Sequence, residues 1–297
     1  MLRVGTDCSG IEAPIQALMK AGIPFHHCFS SDIDEYCRKS IKANYEPDII
    51  YEDMCKRDVN TLPEIDLYVA GFPCQAFSCA GKRRGVDDHR GRLFWECHKV
   101  IDKCRPSVFI LENVKGLLTI QGGEIFKEFI QALENLGDYN ISWKLLDTLD
   151  YGIPQQRRRL FIVGTKKGFR EFTFPEKKES RPIAEYVDRE DTKSQAVPDY
   201  VIRCGMMDRI PKGSCFIDIG FRKNSYPFSD KYSPTLTASA NLWCVPMSRY
   251  ANVKELLMLQ GFPEDFKRAV SNSQLKKQIG NSMSVCVLEA LFRQIYS

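Results

Sequence analysis

Asp66-Leu67-Tyr68-Val69-Ala70-Gly71-Phe72-Pro73-Cys74-Gln75-Ala76-Phe77-Ser78 is the stretch on which the fold turns. Its first five residues form a short apolar run closed by Gly71 and Pro73, which predicts a buried strand, and Cys74 follows at the carboxyl end of that strand. In an open α/β sheet, ligands bind in the crevice outside the carboxyl ends of the strands, so a thiol placed there faces chemistry more readily than core. An isolated strand-end cysteine is most often a small buried hydrophobe. The rest of the chain decides between the two readings.

On the amino-terminal side, residues 4–8 read as a strand and 11–21 as a helix ended by Gly22. A strand at 25–30, a helix at 35–44 and a short strand at 48–51 follow. Beyond Cys74 the pattern continues with a helix around 93–103, a strand at 108–111, a helix near 125–136 and paired strands at 143–149 and 159–164. This alternation predicts βαβ units and a Rossmann-like, mostly parallel α/β sheet with helices on both faces. From residue 166 the texture changes to Pro, Lys, Glu and Asp with short apolar pieces, which predicts a small irregular domain over 166–245. Helical signal returns at 253–259 and 284–295. The expected organisation is therefore a large α/β domain over 1–165, the small domain, and a segment over 246–297 that rejoins the first domain.

The chain has 297 residues, 43% hydrophobic and 27% charged, ordinary values for a globular protein with a sizeable core. No apolar run approaches the ~20 residues of a spanning helix, and the amino terminus enters a strand at once, so no membrane contact and an intracellular location are expected: cytoplasm for a prokaryotic or viral host, with the nucleus also open. Twelve cysteines at irregular spacings include no Cys-x-x-Cys pair and only four histidines accompany them, so no metal site is expected. Net charge is +4, and its placement says more than its sum: residues 82–92, KRRGVDDHRGR, hold five basic residues against two acidic ones, with glycines that suit a mobile, phosphate-gripping loop.

Three predicted strands end in acids. Thr6-Asp7-Cys8-Ser9-Gly10 leads from the first strand into a helix, Ser31-Asp32-Ile33 ends the second, and Glu52-Asp53-Met54 the third. An acidic residue at the second strand end is where ribose hydroxyls are met in nucleotide-binding folds, so a nucleoside-shaped site is plausible, with three solvated loop acids as the plainer alternative. Glu112-Asn113-Val114 follows the strand at 108–111, Arg157-Arg158-Arg159 stands at the mouth of a later strand, and Gln278-Ile279-Gly280-Asn281-Ser282-Met283 is read as opening a helix.

In this order and at these spacings the set resembles the motif series of the DNA (cytosine-5) methyltransferases, from residue 4 to about 290, with Pro73-Cys74-Gln75 as the nucleophile motif. The resemblance implies methyl transfer from S-adenosylmethionine to carbon 5 of a flipped cytosine in double-stranded DNA, by a monomer whose small domain recognises a short target. It makes Cys74 the nucleophile, with Glu112, Arg157 and Arg159 at the base. It lines the cofactor pocket with Asp7, Cys8, Gly10, Asp32, Ile33, Asp53, Met54, Pro73, Leu93, Asn281 and Met283, and gives DNA contacts to Gln75, Ser78, Lys82, Arg83, Arg84 and Asn113. The chain departs from the family at Cys8, usually aromatic, at Ile33, commonly tryptophan, and at Ala80, usually small and polar. Methylation of transfer RNA by the same fold is the nearest alternative, although the Cys-Phe-Thr of that branch is missing. A catalytically silent DNA-binding paralogue and a nicotinamide-dependent oxidoreductase are further off.

Overall fold

The computed structural model describes residues 1–73, 92–203, 205–220 and 228–296; Cys74 and the basic stretch after it, including Gln75, Ser78, Lys82, Arg83 and Arg84, lie outside the described residues. The chain divides into two compact units, residues 1–146, 158–175 and 288–297 in the first and 147–157 and 176–287 in the second.

The first unit is built on a seven-stranded sheet. In chain order come β1 (Leu2–Asp7), α1 (Ala13–Ala21), β2 (Phe25–Ser31), α2 (Glu35–Asn44), β3 (Ile49–Tyr51), β4 (Leu67–Ala70), α3 (Arg92–Cys104), β5 (Val108–Val114), α4 (Glu124–Glu134), β6 (Tyr139–Asp147) and β7 (Arg158–Lys166). The spatial order is β3-β2-β1-β4-β5-β7-β6. The first five of these strands are parallel, as continuous apolar runs such as Leu67–Ala70, buried at every residue, require. β7 reverses the pattern: it runs antiparallel to β5, in register from Val108 opposite Thr165 to Val114 opposite Arg159. That ladder also carries β5 three residues past the expected end at 111, so Glu112, Asn113 and Val114 are strand residues. The polar side chains of Glu112 and Asn113 hide this end of the strand from a reading of apolar runs.

Each helix boundary has a local cause. Asp34 caps α2 by accepting from the Tyr36 N–H at 2.9 Å, and α1 stops at Gly22, whose left-handed backbone returns its N–H to the last turn. On α3, Phe94, Cys97, Val100 and Ile101 recur at helical spacing and are buried. Phe94 stacks on Phe129 of α4 at 3.7 Å between ring centroids, and Phe72 meets both rings edge-on. Phe72 is two residues before Cys74, so the backbone entering the cysteine segment is anchored by an aromatic cluster.

The second unit holds α5 (Asp199–Arg203), β8 (Phe216–Asp218), β9 (Leu242–Cys244), β10 (Arg249–Tyr250), α6 (Val253–Gln260) and α7 (Asn272–Asn281). Its three strands form an antiparallel sheet in the order β10-β9-β8, over a small core of Val201, Met206, Ile217, Ile219 and Trp243. Arg249 and Glu255, both buried, pair at 2.8 and 2.9 Å, and Glu255 closes a capping box with Asn252 at the start of α6. The last helix, α8 (Val285–Tyr296), begins in the second unit and ends in the first. The units thus divide the chain elsewhere than the sequence reading did: of residues 246–297 only 288–297 belong with the sheet. Gln278–Asn281 close α7 rather than open a helix, because Ser282 leaves the helical region with ψ 153° and α8 starts only at Val285. Among the described residues, no helix is long and apolar enough to cross a membrane.

Candidate active site

The carboxyl ends of β1, β2 and β3 gather most of the expected cofactor residues. After Asp7 the chain turns sharply through Cys8, with φ 50°, and Gly10, with φ 58°. A side chain at Gly10 would meet nothing within 4 Å, so the turn opens onto free space at this end of the sheet. The Gly10 N–H donates to Asp32 Oδ2 at 2.8 Å, and Asp32 Oδ1 accepts from the Asp34 N–H at 2.9 Å. Burial pushes the Asp32 carboxyl up, while these two N–H donors pull it down. Asp32 therefore ties the first turn to the second. Beside it Ile33 stands 78% exposed, an apolar surface offered to solvent or to a flat ligand. Cys8 lies with its sulfur 3.8 Å from the sulfur of the buried Met54, and burial raises its thiol well above the usual range, so it stays protonated. Asp53 caps its own turn by accepting from the Cys55 N–H at 2.9 Å. Pro73 is exposed, and Leu93, at the start of α3, is half-buried against the core.

Asp7 is placed otherwise than the sequence reading had it. Its side chain is fully buried and committed to a charge network: Arg57 donates to both carboxylate oxygens, at 2.8 Å on Oδ1, and the Tyr68 hydroxyl donates to Oδ2 at 2.6 Å. The Arg57 guanidinium lies 5.1 Å from the ring centres of both Phe29 and Tyr51. Only the main chain of Asp7 remains for a ligand. Arg57 was invisible in sequence, since the segment around it carries no periodic signal. Glu12 was missed as well. It sits in the left-handed region with φ 60°, is fully buried, and accepts from Thr6 Oγ1 and Ser30 Oγ at 2.6 Å each, bracing the turn from below.

At the end of β5 the geometry is tighter. Arg159 Nε is 3.3 Å from Glu112 Oε1, and both side chains are mostly buried, 16% and 11% exposed. Asn113 is buried, donates from Nδ2 to the Phe72 carbonyl at 3.0 Å and accepts at Oδ1 from the Val114 N–H at 2.9 Å. Glu112, Arg159 and the peptide that leads into Cys74 are thus held by one strand pair and one amide. Asn113, expected to touch DNA, is turned instead to the backbone of the cysteine segment.

Arg157 has backbone partners of its own. It belongs to the second unit, is 2% exposed, and gives its guanidinium to the carbonyls of Leu236, Gly280 and Ser282, the last at 2.6 Å. Three carbonyl acceptors give this arginine the task of holding backbone together. Alternating burial explains the split within the triplet: Arg157 and Arg159 point inward and Arg158 outward, yet the chain passes from one unit to the other between 157 and 158. Asn281, exposed, and Met283, buried, also belong to the second unit. Gly280, which precedes Asn281 and is itself one of Arg157's acceptors, cannot carry a side chain, since a Cβ would lie 2.3 Å from the Thr237 carbonyl.

A parallel sheet whose strand ends hold an acid-braced glycine turn is closed by an antiparallel strand that brings an arginine to a glutamate, the arrangement expected from the resemblance to the cytosine-5 methyltransferases. The comparisons with known proteins agree. The family model for C-5 cytosine-specific DNA methylases matches residues 7–210 and 220–297, and the chain belongs to that family; it is a DNA (cytosine-5-)-methyltransferase. The Type II methyltransferase M.NgoBI of Neisseria gonorrhoeae is 37% identical over 273 residues, 88% of this chain and 83% of that protein, and M.DsaV of Dactylococcopsis salina is 34% identical over 91% and 79%. Among solved structures, the Dnmt2 methyltransferase of S. pombe superposes with a TM-score of 0.71 at 20% identity over 99% of this chain and 98% of that one, and the methyltransferase EhMeth of Entamoeba histolytica with 0.68 at 18% over 100% and 98%. At such identities the structural likeness concerns the fold.

Proposed function

We propose that the protein methylates carbon 5 of a cytosine flipped out of a short double-stranded DNA sequence, with S-adenosylmethionine as the methyl donor and Cys74 as a transient covalent nucleophile. The observation that carries this reading is the Glu112–Arg159 pair standing one residue from Asn113, whose amide grips the peptide leading into Cys74.

The residues at the strand ends fit the donor: open space over Gly10, the carboxylate of Asp32 for ribose hydroxyls and the exposed face of Ile33 for the adenine. When bound, S-adenosylmethionine supplies an electrophilic methyl group. Carbon 5 of cytosine is too poor a nucleophile to take it unaided. Addition of the Cys74 thiolate at carbon 6 breaks the 5,6 double bond and gives carbon 5 enamine character. Glu112 receives the base edge, sharing a proton with ring nitrogen 3 and accepting from the exocyclic amine, while Arg159 fixes its orientation and stabilises charge that develops on addition. After transfer, loss of the carbon 5 proton expels the thiolate.

A base inside a duplex cannot present carbon 6 to a thiol, so flipping, at a cost of about a few kcal/mol, is part of the proposal. The basic segment over 75–92 supplies positive charge for the phosphates, and the second unit reads the sequence. The relatives are Type II methyltransferases, which favours a role in restriction-modification, and a monomer suffices for each step proposed. The test is bisulfite sequencing of unmethylated DNA incubated with the protein and S-adenosylmethionine. Protected cytosines in one short context, lost in Cys74→Ser, are expected. Uniform conversion by folded, cofactor-bound protein would move the activity to RNA.

A further inference from the structure

At the opposite end of the sheet from the candidate active site, β2 begins Phe25-His26-His27-Cys28. His26 and Cys28 flank His27 where β2 carries one residue more than β1, Val4 pairing with His27 and Gly5 with Phe29, so strict alternation is interrupted at Cys28. Asp48 immediately precedes β3, its N–H donates to the His27 carbonyl at 3.0 Å, and the next residue, Ile49, pairs with Phe29, so Asp48 stands alongside Cys28. One ligand atom from each residue, an imidazole nitrogen, the thiol sulfur and a carboxylate oxygen, fall within 4.8 Å of one another, and His26 Nε2 is already 2.7 Å from Asp48 Oδ2.

The three groups differ in exposure in a useful way. Cys28 is buried, while the side chains of His26 and Asp48 are 49% and 54% exposed, so the cluster is closed behind the sulfur and open in front. The surrounding charges favour a cation. Arg3 is bonded to both Asp66 and Glu64, and together with Asp48 these make three carboxylates against the Arg3 guanidinium and the Met1 amino group. Without a cation, burial raises the Cys28 thiol and keeps it protonated.

We propose that His26, Cys28 and Asp48 form a binding site for a transition-metal dication of the zinc type, held by thiolate sulfur, imidazole nitrogen and carboxylate oxygen with a further position open to water. Zinc takes these donors at roughly 2.0–2.3 Å, which sets ligand atoms about 3.3–3.7 Å apart around a tetrahedral centre, so modest side-chain rotation closes the cluster. As the metal–sulfur bond forms, the thiol releases its proton to solvent, and the His26–Asp48 hydrogen bond gives way to two metal bonds. The site would clamp β3, a three-residue edge strand, to its neighbour. The ligands come from β2 and from the residue just before β3, about twenty residues on, a spacing that no Cys-x-x-Cys pattern marks.

Chelator-stripped full-length protein titrated with cobalt tests the assignment, because cobalt bound to a thiolate shows a sulfur-to-metal charge-transfer band. Equimolar binding with that band is expected, together with its loss in Cys28→Ser. The exposed pair His26→Ala and Asp48→Asn, whose removal leaves the core intact, should each weaken zinc in a competitive chelator titration by about tenfold or more. The triple variant sets the background of the other cysteines. Equal binding by wild type and the triple variant, or no binding by the wild type, overturns the proposal.

Discussion

Asn113 is hydrogen-bonded to the backbone before Cys74, and a consequence for turnover follows from its two hydrogen bonds. Its Nδ2 donates to the Phe72 carbonyl and its Oδ1 accepts from the Val114 N–H, all within a buried strand end. Removing the amide frees the backbone two residues before Cys74 and leaves a buried carbonyl unpaired, a loss of about 1–3 kcal/mol in stability. A displacement of about 1 Å at a reacting group costs on the order of a hundredfold in rate. Asn113→Ala should therefore lower kcat about 10- to 100-fold with the KM values for DNA and cofactor little changed, while the protein stays folded. Steady-state kinetics on a defined duplex decides it: a rise in KM for DNA with kcat intact would return Asn113 to the substrate-contact role expected from sequence.

Between elements, the Asp7–Arg57–Tyr68 network joins β1 to β4 beneath the cofactor turn. A buried ion pair gains little over apolar side chains of similar size, but removing one partner strands a charge. Arg57→Met should destabilise the protein by about 3–5 kcal/mol in urea unfolding, and the combined Asp7→Leu, Arg57→Met, Tyr68→Phe variant should recover most of that loss. If the single variant costs under about 1 kcal/mol, the pair is not the tie that its geometry indicates. The same network marks the limit of sequence reading. The strands were legible because β4 and the start of β5 are unbroken apolar runs, and the helices because α3 repeats apolar residues at helical spacing. Arg57 was not, since its partners Asp7 and Phe29 lie 50 and 28 residues back and only the sheet brings them together. Asp32 was legible by its place at a strand end. The task of Arg157 was not, because three carbonyl acceptors leave no trace in the identity of the residues that carry them.

At the scale of the whole molecule, a net charge of +4 is too small to hold DNA through an evenly spread field, so the distribution of charge must do it. The densest basic stretch, residues 82–92, follows Cys74 closely in sequence, and its excess of three positive charges is most of the net charge of the chain. If Lys82, Arg83 and Arg84 contact phosphates, each contact releases condensed counterions, and log K for duplex DNA falls with log salt at a slope of about −0.9 per contact. Replacing all three by Gln should then flatten the slope by about 2–3 and weaken binding most at low salt, without changing which sequence is methylated. A fluorescence-anisotropy salt titration of wild type and variant measures the difference. An unchanged slope would make the stretch a solvated surface and pass the phosphate contacts to the second unit, whose Arg203 and Arg209 would be the next positions to neutralise. A changed slope with altered target sequence would instead mean that the stretch reads bases as well as backbone.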